Sequence, residues 1–397
     1  MKITSVDILQ LKSEDNSWRP IKETGWRPII VRINTDEGIY GYGEVALAYG
    51  NAADGGFAQT KEFAKLIIGE DPMKIEAIWD KLYKDTFWGQ GGGGIVFAAI
   101  SGIDIALWDI KGKALGVPIY QLLGGKIRNN LRAYASQIQF GWDKESYLFI
   151  KPEEYAESAK KAVSEGYTAI KVDPFQVSQD GSFSYRNFGL ITYDKLKLYR
   201  DRLVAIRESV GPGIDIILEN HAGTDVNSAI QFARTIEDLN IYFDEEVCSP
   251  LNPSLTKKVK NKVNIPLAGG ERIYSRWGYR PFFENGSLDV IQPDLGNCGG
   301  ITEGKKICDM AYTYDVLVQC HVCGSPIATA AALQLEAVIP NFVIHEHNTV
   351  SLKDYNIDFC KYDYQPVNGY YEIPNKPGLG QELTEKAIEN AFKITIK

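Results

Sequence analysis

Three glutamates, Glu219, Glu245 and Glu271, each close a short apolar run, and successive members stand 26 residues apart. The runs read GIDIILE, NIYFDEE and IPLAGGE. The pattern continues with Asp294 ending DVIQPD, His321 following DVLVQC and Glu346 ending FVIHE. A strand, a helix and two loops occupy about 25–30 residues, so this is the stride of a (β/α) barrel. In such a barrel the C-terminal strand ends form the active face. Six consecutive ends bearing carboxylate or imidazole describe a metal-assisted acid/base site.

A barrel of this kind needs about 250 residues, which leaves roughly 150 of the 397 for a second domain. Net charge is −8 and no block of basic residues occurs, which excludes nucleic acid and acidic membrane surfaces as partners. No window approaches 18 uncharged apolar residues, and the first residues lack the apolar core of a signal peptide. A cytoplasmic location is expected. The six cysteines lie in the C-terminal half and read as reduced thiols, not a disulfide framework. Cys320 and Cys323 flank His321 in a C-x-x-C, for which buried small residues are a better reading than a zinc or redox site.

Residues 1 to about 45 read as a meander of antiparallel strands, with Asp36, Glu37 and Gly38 at a turn. Residues 58–85 read as helical and 88–94 (WGQGGGG) as a flexible loop, which lacks the Lys-Ser/Thr ending of a P-loop. A helix follows, ending at Gly116 with Pro118 beyond it. Eight candidate barrel strands come next: LRAYASQ, TAIKVDP, GIDIILE, NIYFDEE, IPLAGGE, LDVIQPD, DVLVQCH and NFVIHE. Between the second and third, 46 residues separate Asp173 from Glu219; the extra stretch QVSQDGSFSYRNFGLITY reads as a loop inserted over the barrel mouth. The tail after Glu346 is expected to return to the N-terminal domain.

Carboxylates converging at one mouth repel unless a cation sits among them, and all-oxygen ligation favours a hard ion such as Mg²⁺. At DEE the spacing selects Glu245, while Asp244 and Glu246 would point the other way. His221 lies two residues beyond Glu219, on the same strand face if the strand continues, and is placed to serve as general acid or base. Asp294 and His321 end neighbouring strands, where the carboxylate can orient the imidazole as a base. His345 and His347 flank Glu346 and should face away from it, in structural roles.

Taken together these residues resemble the enolase superfamily and, within it, the mandelate racemase subgroup. The likeness rests on SGIDIALWDIKGKALGVPIYQLLGG, IKVDP, the spaced glutamates, GGER, QPDLGNCGGITEG, the His321 strand end, Glu346 and PGLG. It implies a modified (β/α)₇β barrel over residues 126–364 and an N-terminal α+β capping domain over 1–125, completed by residues 365–397. It also implies Mg²⁺ held by Glu219, Glu245 and Glu271, and abstraction of a proton α to a carboxylate.

Racemases of the subgroup carry Lys-x-Lys on the second strand; here it is Lys171-Val172-Asp173, which argues against two-base racemisation. His221 after the first ligand is instead similar to the sugar-acid dehydratases, galactonate and gluconate dehydratases among them. There the pair matching His321 and Asp294 takes the C2 proton, and the group matching His221 protonates the departing C3 hydroxyl. Glu346 matches a position that hydrogen-bonds the substrate carboxylate or enediolate. Lys171 and Asp173 are open between substrate contact and a structural ion pair. Two features depart from the pattern: Glu246-Val247 stands where relatives commonly have proline, and KVDPF with its insertion looks closer to gluconate dehydratase-like members. The resemblance further implies a small sugar-acid substrate and a homo-oligomer, dimer or octamer. An epimerase or cycloisomerase, and a non-catalytic binding scaffold, are the rival readings.

Overall fold

The computed structural model describes residues 1–12, 26–184 and 186–397. The end of the expected first-strand segment, residues 13–18, and Tyr185 of the expected insertion lie outside the described residues.

Strands β1 (Ile3–Gln10), β2 (Ile29–Thr35) and β3 (Tyr40–Val45) form the anticipated meander, with Gly38 at φ 76° closing the β2–β3 turn. The helical region is two helices, Ala53–Ile67 and Ile75–Lys84, not one. Gly69 at φ 82° and Pro72 supply the break between them. The glycine run is a 3₁₀ turn, Trp88–Gly91, that leads into the long helix Gly94–Leu115. That helix lies directly on β3. A Cβ at Gly43 would stand 2.0 Å from the Gly102 carbonyl oxygen, so the close approach requires glycine there. The sheet and the three helices bury a common apolar core that includes Val31, Val45, Phe63, Trp79 and Ile103.

The barrel strands are β4 (Asn130–Ser136), β5 (Ala169–Val172), β6 (Asp215–Glu219), β7 (Ile241–Glu245), β8 (Leu267–Gly269), β9 (Val290–Ile291), β10 (Leu317–Val318) and β11 (His345–Asn348). They are parallel neighbours in the order β10-β9-β8-β7-β6-β5-β4-β11. Closure comes from the approach to β11: Val318 N donates to the Asn341 carbonyl at 2.8 Å and Val343 N to the Val318 carbonyl at 3.0 Å. Tyr134, Ala169, Ile217, Phe243, Ala268, Val290 and Ile344 meet in one buried interior cluster. Because side chains alternate along a strand, Lys171, Glu219, Glu245 and Glu346 project to that same interior two residues further on. A floor of apolar side chains, with ~1.5–3 kcal/mol of burial for each of Ile217, Phe243, Val290 and Ile344, thus supports a layer of charge.

Two strands complete the chain. β13 (Phe392–Ile396) pairs antiparallel with β1, as the returning tail should. β12 (Tyr370–Glu372) does not join the N-terminal unit; it pairs antiparallel with β4 of the barrel, so residues 365–397 are shared between the two units. Among the described residues no helix is long and apolar enough to cross a membrane.

Candidate active site

β6 and β7 run in register with Glu219 opposite Glu245, the last residue of each strand. Beyond them the strands shorten. Glu271, Asp294 and His321 lie two to three residues past the ends of β8, β9 and β10, in loops rather than at strand ends. Glu346 is likewise not terminal: it sits inside β11, paired with Tyr134.

At the centre stands Lys171, whose Nζ is 2.9 Å from Glu219 Oε2, 2.9 Å from Glu245 Oε1 and 3.1 Å from Glu346 Oε1. Burial works against its charge, but the three carboxylates outweigh that and hold the ammonium well above its ordinary pKa. Even so, negative charge is in excess. Burial and the charge of Glu219 push the Glu245 carboxyl well above the usual range. Glu346 also accepts Ser136 Oγ at 2.7 Å and Val322 N at 3.0 Å.

Above this layer opens a cavity of about 550 Å³ bordered by His221, His321, Glu271, Asp294, Arg272, Asn297 and Gln176, and by Ala46–Tyr49 of the N-terminal unit. His321 Nδ1 is 2.7 Å from Asp294 Oδ2 and its Nε2 is 3.3 Å from Glu271 Oε2. Burial disfavours its charge, yet Glu271 and the Asp294 hydrogen bond raise it well above the ordinary imidazole range. Across the mouth, His221 Nδ1 is 2.7 Å from Asp173 Oδ2 and 3.1 Å from Gln176 Nε2. Burial lowers its pKa, and the charges of Glu219 and Asp173 overcome that to bring it to about 10. His221 does not reach this place by strand alternation. β6 stops at Glu219, and His221 turns back at φ 48°, its backbone N donating to Glu219 Oε1 at 2.9 Å.

Several expected contacts move one layer back. Lys171, Asp173 and Glu346 are buried, do not border the cavity and meet protein partners, which for Lys171 and Asp173 favours the ion-pair alternative over substrate contact. Lys171 is an ion-pair centre, Asp173 orients His221, and Glu346 braces the loop after His321. His345 and His347 are buried, and their Nδ1 atoms meet Glu336 Oε2 and the Tyr167 hydroxyl, each at 2.5 Å. Cys320 is buried, Cys323 borders the cavity, and no disulfide joins them.

Residues not anticipated include Arg272, whose Nε donates to Glu246 Oε1 at 3.0 Å, with Nη2 on the other oxygen. Asp244 accepts from Asn220 Nδ2, on the far side of β7 from Glu245. Gln176 and Phe183 come from the stretch expected to cover the mouth. Strand parity was the one available signal: Lys171 and Asp173 share the face that carries Glu219 and Glu245.

For a metal, the donor chemistry is favourable: Glu219, Glu245 and Glu271 offer only oxygen, two of them fully buried beside excess negative charge. Among the described residues, however, no group of three His, Cys, Asp or Glu side chains is arranged to hold a metal ion. Lys171 stands between Glu219 and Glu245, and Glu271 faces His321 and Arg272. Charge excess and donor type, not a ready-made cage, are what fit a divalent ion.

Residues 154–387 match the enolase C-terminal domain-like family, and residues 23–124 the N-terminal domain of mandelate racemase/muconate lactonizing enzymes. The chain belongs to the mandelate racemase/muconate lactonizing enzyme family. Its relatives in that family include a D-galactonate dehydratase of Pectobacterium atrosepticum, 35% identical over 370 residues that cover 91% of this chain and 90% of the relative. A D-xylonate dehydratase of Haloferax volcanii is 34% identical over 365 residues, covering 91% of this chain and 84% of the relative. A crystal structure from Salmonella Typhimurium, described as a member of the enolase superfamily, is 57% identical and superposes with TM-score 0.96 over all of both chains.

Proposed function

We propose that the protein is a sugar-acid dehydratase that removes the C2 proton and the C3 hydroxyl of an aldonate. The observation that carries this reading is the pair of imidazoles bordering one cavity, each fixed at Nδ1 by a carboxylate 2.7 Å away. With Nδ1 turned to a carboxylate, Nε2 is the nitrogen assigned to proton transfer in each ring; in His321 it faces Glu271 Oε2 at 3.3 Å.

His321 takes the C2 proton on Nε2 from its neutral form, which a cation held by Glu271 would favour by offsetting the carboxylate charge that raises the ring's pKa, and Asp294 holds the ring and stabilises the imidazolium that forms. His221, protonated at neutral pH with a pKa of about 10, gives its proton to the departing C3 oxygen as the C3–O bond breaks. Water leaves, and the remaining enol tautomerises to a 2-keto-3-deoxy acid. Glu219, Glu245 and Glu271 would hold Mg²⁺, which supplies positive charge to offset the buried carboxylates and to stabilise negative charge building on the substrate carboxylate. Gln176, Asn297 and Arg272 offer the cavity polar groups suited to hydroxyls.

A two-base epimerase would need a basic group on β5 at the cavity, and Lys171 is instead buried among three carboxylates. Identities of 35% and 34% to a hexonate and a pentonate enzyme do not separate those substrates. The test is a screen of hexonic, pentonic and hexaric acids with Mg²⁺, following 2-keto-3-deoxy products and C2 proton exchange in D₂O. Exchange without water loss would replace dehydration by epimerisation; neither reaction with any acid would reject the reading.

A further inference from the structure

The helices that follow the two base-bearing strands, Gly300–Tyr312 and Pro326–Glu336, both start at the barrel mouth, where their first amide groups lack intrahelical partners. In each case a carboxylate of the N-terminal unit reaches the third helical amide. Glu44, the penultimate residue of β3, accepts Ala328 N at 3.2 Å, together with Ser325 N at 3.0 and 3.1 Å and Ser325 Oγ at 2.5 Å. Asp104, from the long helix Gly94–Leu115, accepts Thr302 N at 3.0 Å. Both carboxylates are buried.

We propose that Glu44 and Asp104 are positioning residues: they cap from the N-terminal unit the two helices that anchor His321 and Asp294, and so set the 2.7 Å contact between imidazole and carboxylate. The proposal rests on the reading of that pair as the proton-abstracting base.

The couplings are short. Ala46 N donates to the Gly296 carbonyl at 2.9 Å, and Gly296 N donates to Asp294 Oδ1 at 2.7 Å. Gly299 N donates to Ser101 Oγ at 2.9 Å, and Trp79 Nε1 to the Gly299 carbonyl at 2.8 Å. On the other arm only Val322, Cys323 and Gly324 separate His321 from the capped Ser325. The fit has no slack: a Cβ on Gly300 would stand 2.2 Å from Asp104 Oδ2, and one on Gly324 would stand 2.8 Å from Glu44 Oε1. The helix dipole favours a carboxylate at such a start, and the amide hydrogen bonds offset part of the burial that pushes both carboxyls up to about 7. Displacement of either cap therefore moves one partner of the dyad relative to the other, and catalysis falls steeply with misplacement on the ångström scale.

The experiment compares Glu44→Gln and Asp104→Asn with the parent chain by C2 exchange kinetics and by ¹⁵N spectra of [¹⁵N]histidine-labelled protein; the chain has only four histidines. Each variant is expected to lower kcat for exchange about 10-fold or more with KM within about 3-fold. The His321 ring signals are expected to move while those of His347, held by Tyr167 outside both capped helices, stay. A drop in melting temperature with kcat and the His321 signals unchanged would overturn the proposal and leave both residues as ordinary fold contacts. Should Glu44→Gln fail to fold, Gly324→Ala tests that arm by crowding both the Glu44 carboxylate and Ala328 of the capped helix start; should Asp104→Asn fail, Gly300→Ala tests the other arm by crowding Asp104. If the parent chain acts on no sugar acid, the functional reading fails, and the ring signals alone decide whether the caps set the dyad.

Discussion

The four histidines divide into two pairs that share a chemistry and differ in surroundings. His221 and His321 are 20% and 17% exposed, border the cavity and face carboxylates in excess. His345 and His347, on β11, are 0% and 1% exposed and packed against Tyr371. All four engage a partner through Nδ1. A hydrogen-bonded imidazole at the barrel mouth is therefore not yet a catalytic one. Access to the cavity, and a local field that decides its protonation, separate the pairs. That field is opposite in sign at the extremes: carboxylates raise His221 to about 10, whereas burial and then His345 press His347 down to about 3.

The comparison breaks if the cavity pair proves dispensable. His321→Asn should cut both C2 exchange and dehydration by about 10³-fold or more, because no other base stands in its place. Retention of exchange in this variant would remove the dyad from the mechanism. His221→Asn should cut dehydration by about 10²–10³-fold and exchange by less than about 10-fold, since the proton it supplies is needed only at C3. Equal losses in the two assays would show that acid and base roles are not divided between the rings.

How far the sequence foretold this pairing depends on the strand. Glu219 and Glu245 were legible because β6 and β7 are full strands in register, so period and parity both apply. Glu271, Asp294 and His321 kept the stride although β8, β9 and β10 end earlier; there the helix-and-loop length carried the period, not the strand. His221 was placed near Glu219 by an alternation that does not operate, since a left-handed turn does the work. The Asp173–His221 contact crosses the insertion, and the Glu44 and Asp104 caps come from another unit. Neither follows from local pattern, because both are set by packing between segments distant in the chain. Lys171 shows the reverse case: parity pointed it inward, and only the packed structure shows three carboxylates consuming its charge.

A smaller effect sharpens the role of Asp173. Its charge helps raise His221, so Asp173→Asn should lower that pKa and move the alkaline limb of the dehydration pH profile to lower pH. At neutral pH the loss in dehydration should be about 10-fold, with C2 exchange nearly preserved. A profile that keeps its alkaline limb would mean that Glu219 and Glu271 set the protonation of His221 without Asp173.

The smallest effect on activity, and the sharpest contrast, is expected at His347. Its folded-state pKa of about 3 lies below the ~6.5 of an unfolded chain. As pH falls through ~6.5 the unfolded state binds a proton that the folded state refuses. The stability that neutral His347 contributes is therefore present above that pH and is lost progressively as pH drops toward 3. His347→Gln should remove part of this slope, seen as a flatter dependence of the urea midpoint on pH between about 6.5 and 4. It should also forfeit the Tyr167 hydrogen bond, at a cost of about 1 kcal/mol at neutral pH, and leave kcat within about 3-fold. A large loss of kcat with an unchanged slope would place His347 with the cavity pair and dissolve the division between reactive and sealed imidazoles. With the expected outcome, acid sensitivity of the fold and proton transfer at the mouth belong to different histidines on neighbouring barrel strands.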